Sequence, residues 1–249
     1  MDLNIADFFD SAKRTMHNCT SSDIPKNFSS WESDDSICKM YFDWIRERSQ
    51  CNSLLLLTNS QITKVKEEIL SRIFLAKPHR ENESNNWKCI VLHGISSVMS
   101  DSAEYYRNLG INVAESYKWT DVATYFPETV AWVKENIPFD NFGRVRIMVL
   151  DPGGYVVPHV DYPNGQMLAG INIAVTNPTG SEFVLDNGGL IPWQEGESRL
   201  VDIGKMHSIR NVGTEPRVHM IVHPEPLTEW NLKSMQLVCR SYDEFKGKT

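Results

Sequence analysis

The chain has 249 residues, 41% hydrophobic and 23% charged, with a formal net charge of −7. That composition is ordinarily globular and long enough for one large domain, or a core with a smaller extension, burying roughly 70% of the unfolded surface. No Lys/Arg run of the kind that tracks phosphates occurs, which argues against a nucleic-acid partner, and the longest apolar run, Leu54 to Leu57, is far too short to span a bilayer.

The N-terminal stretch MDLNIADFFDSAKR carries acids early and no apolar core, so a signal peptide is not expected. Behind Ser33-Asp34-Asp35, a capped start, Ile37, Met40, Tyr41, Trp44 and Ile45 repeat at helical spacing. A polar join around Asn59 follows. Ile62, Val65, Ile69 and Ile73 then repeat in the same way until Pro78 stops the pattern. Residues 80–86 read as an exposed loop and Trp87 to His93 as a short buried strand. A further helix is expected over about Glu128 to Ile137, with Val130, Val133 and Ile137 on one face.

From Arg144 the pattern changes to short apolar runs separated by Gly/Pro/Asn turns: RVRIMVL, YVVPHVDY, AGINIAVT, SEFVL, SRLVDI and RVHMIVH. Many short strands at near-regular spacing predict a sandwich or barrel. The layout is an α+β, β-rich chain, with a helical extension over residues 1–86 and the β-rich domain over 87–249. Five cysteines (Cys19, Cys38, Cys51, Cys89, Cys239) at irregular spacing with no C-x-x-C pair point to free thiols, a reducing compartment and a cytoplasmic location.

The chemistry centres on His159-Val160-Asp161. On an extended segment residues i and i+2 project to the same side, so the imidazole and the carboxylate converge. His207 follows 48 residues later. Two histidines and one carboxylate on one face of a metal leave positions open for a co-substrate and O2, the facial arrangement of Fe(II) oxygenases. Ten residues beyond His207, Arg217 opens a strand whose alternate residues Arg217, His219 and Ile221 share a face. An arginine projecting into an apolar barrel is unfavourable unless an anion meets it, and a planar guanidinium matches a carboxylate. The distal carboxylate of 2-oxoglutarate is such an anion.

The stretch GRVRIMVLDPGGYVVPHVDY, with INIAVTNP and GESRLVDIGKMHSIRNVGTEPRVHMIV, resembles the aspartyl/asparaginyl β-hydroxylase-like family of 2-oxoglutarate oxygenases, over roughly Trp87 to Pro224. The resemblance implies a double-stranded β-helix (jelly-roll, cupin-like) core with N-terminal and covering helices. It implies iron ligands at His159, Asp161 and His207, 2-oxoglutarate on Arg217, and His219 as a second contact to the same carboxylate. Asp161 places the chain nearer the small-molecule branch than the peptide hydroxylases that lack this carboxylate. Where many relatives carry an arginine before the Asn177-Pro178 turn, this chain has Gly170, and Asn172 is the candidate replacement.

The resemblance thus implies an Fe(II)- and 2-oxoglutarate-dependent dioxygenase that hydroxylates an unactivated C–H of an amino acid-like small molecule or a peptide, with no acid–base residue required. Two alternatives stand beside it: a zinc hydrolase on the same His/Asp/His set, and a non-catalytic jelly-roll binding module. His79, His93 and His223 read as structural or exposed. Arg144 and Arg146 read equally as substrate-carboxylate binders or surface ion-pair partners. Asp202 reads equally as an orienting partner of His207 or a turn cap.

Overall fold

The computed structural model describes Ala6, Phe8, Phe9 and residues 28–48, 51–54, 56, 59–79, 86–101, 103–161, 170–186, 188–226 and 230–245. Helix α1 (Asp35–Arg48) begins where Asp34 Oδ1 accepts from the backbone N–H groups of Ser36 (2.9 Å) and Ile37 (3.1 Å). Cys38, Tyr41, Phe42 and Ile45 make its buried stripe. Strand β1 (Cys51–Leu54) follows, then α2 (Asn59–Ser71), β2 (Lys77–Pro78) and β3 (Trp87–Gly94). Short helices α3 (Ala103–Asn108) and α4 (Val113–Ser116) lead to β4 (Lys118–Trp119) and to α5 (Pro127–Asn136), which takes Pro127 in its first turn.

The remaining strands are β5 (Phe142–Leu150), β6 (Tyr155–His159), β7 (Ile171–Thr176), β8 (Ser181–Leu185), β9 (Gly189–Leu190), β10 (Ser198–Val201), β11 (His207–Asn211) and β12 (Arg217–Pro224), and helix α6 (Leu232–Phe245) follows them. They form two antiparallel sheets. The larger has the order β1-β10-β7-β12-β5-β3-β2, with β4 also on β3, and the smaller the order β6-β11-β8-β9. This is the double-stranded β-helix that the sequence leads one to expect.

Alternation along the central strands assigns the two faces of the large sheet. Val145, Ile147 and Val149 of β5, Ile171, Ile173 and Val175 of β7, and Val218, Met220 and Val222 of β12 are all buried in the main core with the helices. Each such side chain contributes roughly 1.5–3 kcal/mol. The opposite parity faces the small sheet, where Ala174 and Val201 pack with Phe183, Leu185 and Trp193. With both faces covered, the polar residues of that second parity lie inside the molecule.

The division expected at residue 86 is crossed by the large sheet, since β1 pairs with β10 (Cys51↔Val201) and β2 with β3 (Lys77↔Cys89). The reading of 1–86 as helical therefore omitted two short edge strands, β1 and β2. Two turns meet at glycines: a Cβ on Gly213 would lie 2.2 Å from Thr179 O, and Gly180 takes φ +90°. Cys38, Cys51, Cys89 and Cys239 are buried and in no disulfide; Cys19 lies outside the described residues. Among those residues no helix is long and apolar enough to cross a membrane.

Candidate metal and carboxylate site

His159 ends β6 and His207 opens β11, and the two are paired across the small sheet. Their rings lie with centroids 4.3 Å apart. The strand stops at His159, so the extended H-x-D segment expected from the sequence is not what aims Asp161. A bend does so instead, held by the Asp161 backbone N–H donating to Ile203 O (3.1 Å). Asp161 Oδ1 then stands 3.4 Å from His159 Nε2 and Oδ2 stands 3.9 Å from His207 Nε2. One ligand atom from each of the three falls within 4.8 Å of the others, a group that could hold a metal ion.

Both imidazoles are set for ligation by the backbone. His159 Nδ1 lies 2.8 Å from Val157 O, and His207 Nδ1 lies 2.9 Å from Lys205 O. A carbonyl only accepts, so each Nδ1 carries the proton and each Nε2 presents a lone pair to the shared space. Asp202 plays no part in this; it accepts from Gly204 N–H (3.1 Å) within its own turn. Burial pushes the Asp161 pKa up, but the contact with His159 and the fields of His207 and His159, which act when those rings are protonated, together with that of Arg146 outweigh it and hold the carboxyl well below its usual range. Burial, with His159 adding to it, lowers His207 despite Asp161 and the Lys205 carbonyl. An ionised carboxylate and neutral imidazoles are the forms that bind a metal.

Arg217 opens β12 and is 4% exposed. Burial pushes it down to about 9, still charged at neutral pH. Among the described residues no acid pairs with it. Its Nη2 lies 3.0 Å from His219 Nδ1, which also lies 2.8 Å from Asn172 Oδ1. A neutral imidazole satisfies one of these contacts and not both. Protonated on Nδ1 it donates to Asn172 and offers Arg217 nothing; protonated on Nε2 it accepts from Arg217 and leaves the Asn172 oxygen unmet. Burial and the charge of Arg217 keep His219 neutral, and both Arg217 Nε and His219 Nε2 lack hydrogen-bond partners. The cluster is short of an anionic acceptor, and a carboxylate fits that need. Arg199, another buried arginine of the interior, shows the contrast: it meets Glu197 Oε1 at 2.5 Å and Pro192 O at 3.2 Å.

A cavity of about 460 Å³ opens on the His/Asp/His group, and two of its lining residues, Asn172 and Phe183, touch the Arg217 cluster behind them. His159, Asp161 and His207 line it, as do Asn172 and Phe183 toward the Arg217 end. The Phe183 ring neighbours both centres, 5.7 Å from the His207 ring and 5.9 Å from the Arg217 guanidinium carbon.

Residues 59–225 match the aspartyl/asparaginyl beta-hydroxylase family. The chain belongs to that family. The match reaches further toward the N-terminus than the resemblance read from Trp87 onward, and takes in α2. No relative was found among curated protein sequences. Among solved structures, the chain is similar to an oxidoreductase of the 2OG-Fe(II) oxygenase family from Burkholderia pseudomallei, at 10% identity, over 85% of this chain and 95% of that one, with a TM-score of 0.48. A prolyl-4-hydroxylase from Pseudomonas putida aligns at 10% identity over 75% and 97% of the two chains, TM-score 0.44. The viral collagen prolyl hydroxylase of Paramecium Bursaria Chlorella virus-1 aligns at 13% identity over 72% and 97%, TM-score 0.41.

In this member of the aspartyl/asparaginyl beta-hydroxylase family, the further polar residues that line the cavity include His79, Arg144, Arg146 and His223. The two histidines are buried rather than exposed, and the arginines are interior rather than on the surface. The signal was present in β5, where Arg144 and Arg146 alternate with Val145 and Ile147. It becomes decisive only once both faces of the sheet are known to be covered. Gly170 holds no side chain because there is no room for one: a Cβ there would stand 3.0 Å from His223 Nε2 and 3.1 Å from Ile221 Cγ2.

Proposed function

We propose that this protein is an iron(II)- and 2-oxoglutarate-dependent dioxygenase that hydroxylates an amino acid-like small molecule or a peptide. The observation that carries the reading is the nearness of two features: a His/Asp/His group on a cavity wall, and a buried arginine cluster without an acid partner that lies behind Asn172 and Phe183 of the same wall. His159 and His207 would hold iron through Nε2 and Asp161 through a carboxylate oxygen. Arg217, with His219 beside it, would take the distal carboxylate of 2-oxoglutarate by a charge-assisted fork. When bound, iron and 2-oxoglutarate with O2 supply the oxidation of an unactivated C–H bond, releasing succinate and CO2.

The chain's own contribution is binding, orientation and exclusion of water. The Val157 and Lys205 carbonyls fix the imidazole tautomers, and the closed apolar end around Phe183 and Trp193 shields the arginine cluster. No side chain is assigned a proton-transfer step. The buried thiols, in no disulfide, fit a reducing, cytoplasmic setting.

Anaerobic addition of Fe(II) and 2-oxoglutarate tests the reading. A visible iron-to-keto-acid charge-transfer band is expected, because it requires both ligands at one metal. A zinc hydrolase or a non-catalytic jelly-roll module gives none, and its absence from metal-loaded protein would refute the oxygenase assignment.

A further inference from the structure

Asn172 of β7 stands on the wall of the cavity that opens on His159, Asp161 and His207, and its side chain reaches back from that wall to His219. Asn172 Oδ1 lies 2.8 Å from His219 Nδ1, and Arg217 Nη2 lies 3.0 Å from the same nitrogen. All three residues are buried. An amide oxygen only accepts and a guanidinium only donates, so the two make opposite demands on one ring atom. Burial, and then the charge of Arg217, keeps the His219 ring neutral, so its single ring proton sits on one nitrogen or the other.

Three observations decide between the two tautomers. Hydrogen bonds from an ionised donor run shorter than neutral ones, yet the Arg217 contact is the longer of the two. Arg217 Nε also has no partner, and Nε with Nη2 forms the side edge of the guanidinium, a fork that a carboxylate fills with two parallel bonds. An entering carboxylate supplies the acceptor that Arg217 needs, but it has no donor to give Asn172 Oδ1. Finally, the Trp193 indole packs edge-to-face on the His219 ring, centroids 4.8 Å apart, and Trp193 Nε1 is a buried donor without an acceptor. A proton on Nδ1 makes Nε2 an acceptor in a ring next to that donor. A proton on Nε2 would set a second donor near the first.

Resting on the oxygenase reading above, we infer that Asn172 is a positioning residue for the co-substrate: it holds the His219 proton on Nδ1, so that His219 cannot cap Arg217 and the Nε/Nη2 edge stays open to the distal carboxylate of 2-oxoglutarate. His219 is then a neighbour of that carboxylate's anchor and not a second donor to it. An apolar residue in place of Asn172 removes the acceptor that pins the proton. The proton moves to Nε2, Nδ1 bonds Arg217 Nη2, and the carboxylate has to break that bond to enter.

The experiment reads the imidazole tautomers of isotope-labelled, full-length, metal-free protein by proton–nitrogen correlation NMR, with the His219 signals assigned by their loss in His219→Gln. Wild type is expected to carry the His219 proton on Nδ1, and to keep it there when Zn(II) and 2-oxoglutarate are added. Asn172→Leu is expected to carry it on Nε2. In protein loaded anaerobically with Fe(II), the 2-oxoglutarate titration of the charge-transfer band should move about tenfold or more to higher concentration in Asn172→Leu, the scale of one hydrogen bond to a charged group. A merely structural defect does not move a proton between ring nitrogens. The inference is overturned if wild-type His219 carries its proton on Nε2, with or without 2-oxoglutarate, since the ring would then cap Arg217 or donate to the carboxylate itself. It is also overturned if Asn172→Leu leaves the proton on Nδ1, or moves it and leaves the 2-oxoglutarate requirement unchanged. If Asn172→Leu does not fold, the two wild-type spectra decide. Absence of the charge-transfer band from wild type defeats the oxygenase reading beneath, whereas the wrong tautomer defeats this inference alone.

Discussion

Arg217 illustrates how one residue can cost stability in the ligand-free protein and, in its proposed role, serve binding. A charged guanidinium buried against a neutral imidazole destabilises the ligand-free protein, because desolvation is not offset by an acid. Arg217→Met is therefore expected to raise the unfolding midpoint of the ligand-free protein while abolishing stabilisation by 2-oxoglutarate in a thermal-shift titration. Arg217→Ala should raise the 2-oxoglutarate requirement roughly 30-fold or more, from about 2–5 kcal/mol for breaking a buried charged pair, and Arg217→Lys should recover only part. If both variants bind 2-oxoglutarate normally, the cluster serves something else. Alanine at His159, Asp161 or His207 should each lose tight metal binding in an equilibrium metal titration. A His207→Ala protein that keeps wild-type affinity would remove His207 from the ligand set. These residues were legible from the chain alone because strand alternation is a local rule: it put Arg217 and His219 on one face of RVHMIVH before any partner strand was known.

At the scale of elements, α5 depends on a residue far from it in sequence. The buried Glu68 carboxylate of α2 accepts from Glu128 N–H (3.1 Å), Thr129 N–H (2.7 Å) and the Thr129 hydroxyl (2.7 Å). An acid supplied from outside thus meets the open N–H groups and positive dipole end of α5. Glu68→Ala should lower stability by about 2–3 kcal/mol, since it strands buried donors that carried charge-assisted bonds, and Thr129→Val by about 1 kcal/mol. Urea unfolding monitored by tryptophan fluorescence measures both; a Glu68→Ala protein as stable as wild type would show the cap to be dispensable. The helical spacing of Ile62, Val65 and Ile69 announced α2 but not this use of Glu68. Nor did it announce β1, whose four residues are a strand because β10 lies beside them. A short edge strand has too few residues to show a period of its own.

Among the described residues, the first and last helices of the main core are fastened to each other by Asp243. Its Oδ1 accepts from the Tyr41 hydroxyl (2.8 Å) and its Oδ2 from Trp31 Nε1 (2.9 Å), closing α6 onto α1. The main core runs from Phe28 to Tyr242 without a break at residue 86. A fragment beginning at residue 87 should therefore fail to fold cooperatively, showing exposed apolar surface by dye binding and no sharp thermal transition; a sharp transition would restore the two-part division. Acid should weaken the intact protein. His93, His219 and His223 are buried and their pKa values fall below the usual imidazole range, chiefly by desolvation, with Arg217 and Arg144 adding to it at the latter two. The unfolded chain then takes up protons that the folded state refuses. Stability is full above the ordinary imidazole pKa and falls as pH drops through about 6.5, by up to about 1.4 kcal/mol per unit for each residue. Urea unfolding in chelator at about pH 7.5 and about pH 5.5 should show the loss, and equal stability at the two would contradict it.

Local pattern by itself determined the β-rich half and the shared face of Arg217 and His219, since strand period and turn residues are properties of neighbours in the chain; the spacing of His159, Asp161 and His207 marked them as candidates, and the family resemblance implied their role. Tertiary structure decided what depends on residues far apart. Pairing of β6 with β11 brought His159 to His207, and a hydrogen bond to Ile203 turned Asp161 toward them past the end of its strand. Cover on both faces of the large sheet put Arg144, Arg146, His79 and His223 on the cavity wall. Their surroundings are contributed by strands and helices dozens of residues away, and no period within one segment records which of its two faces another segment will close.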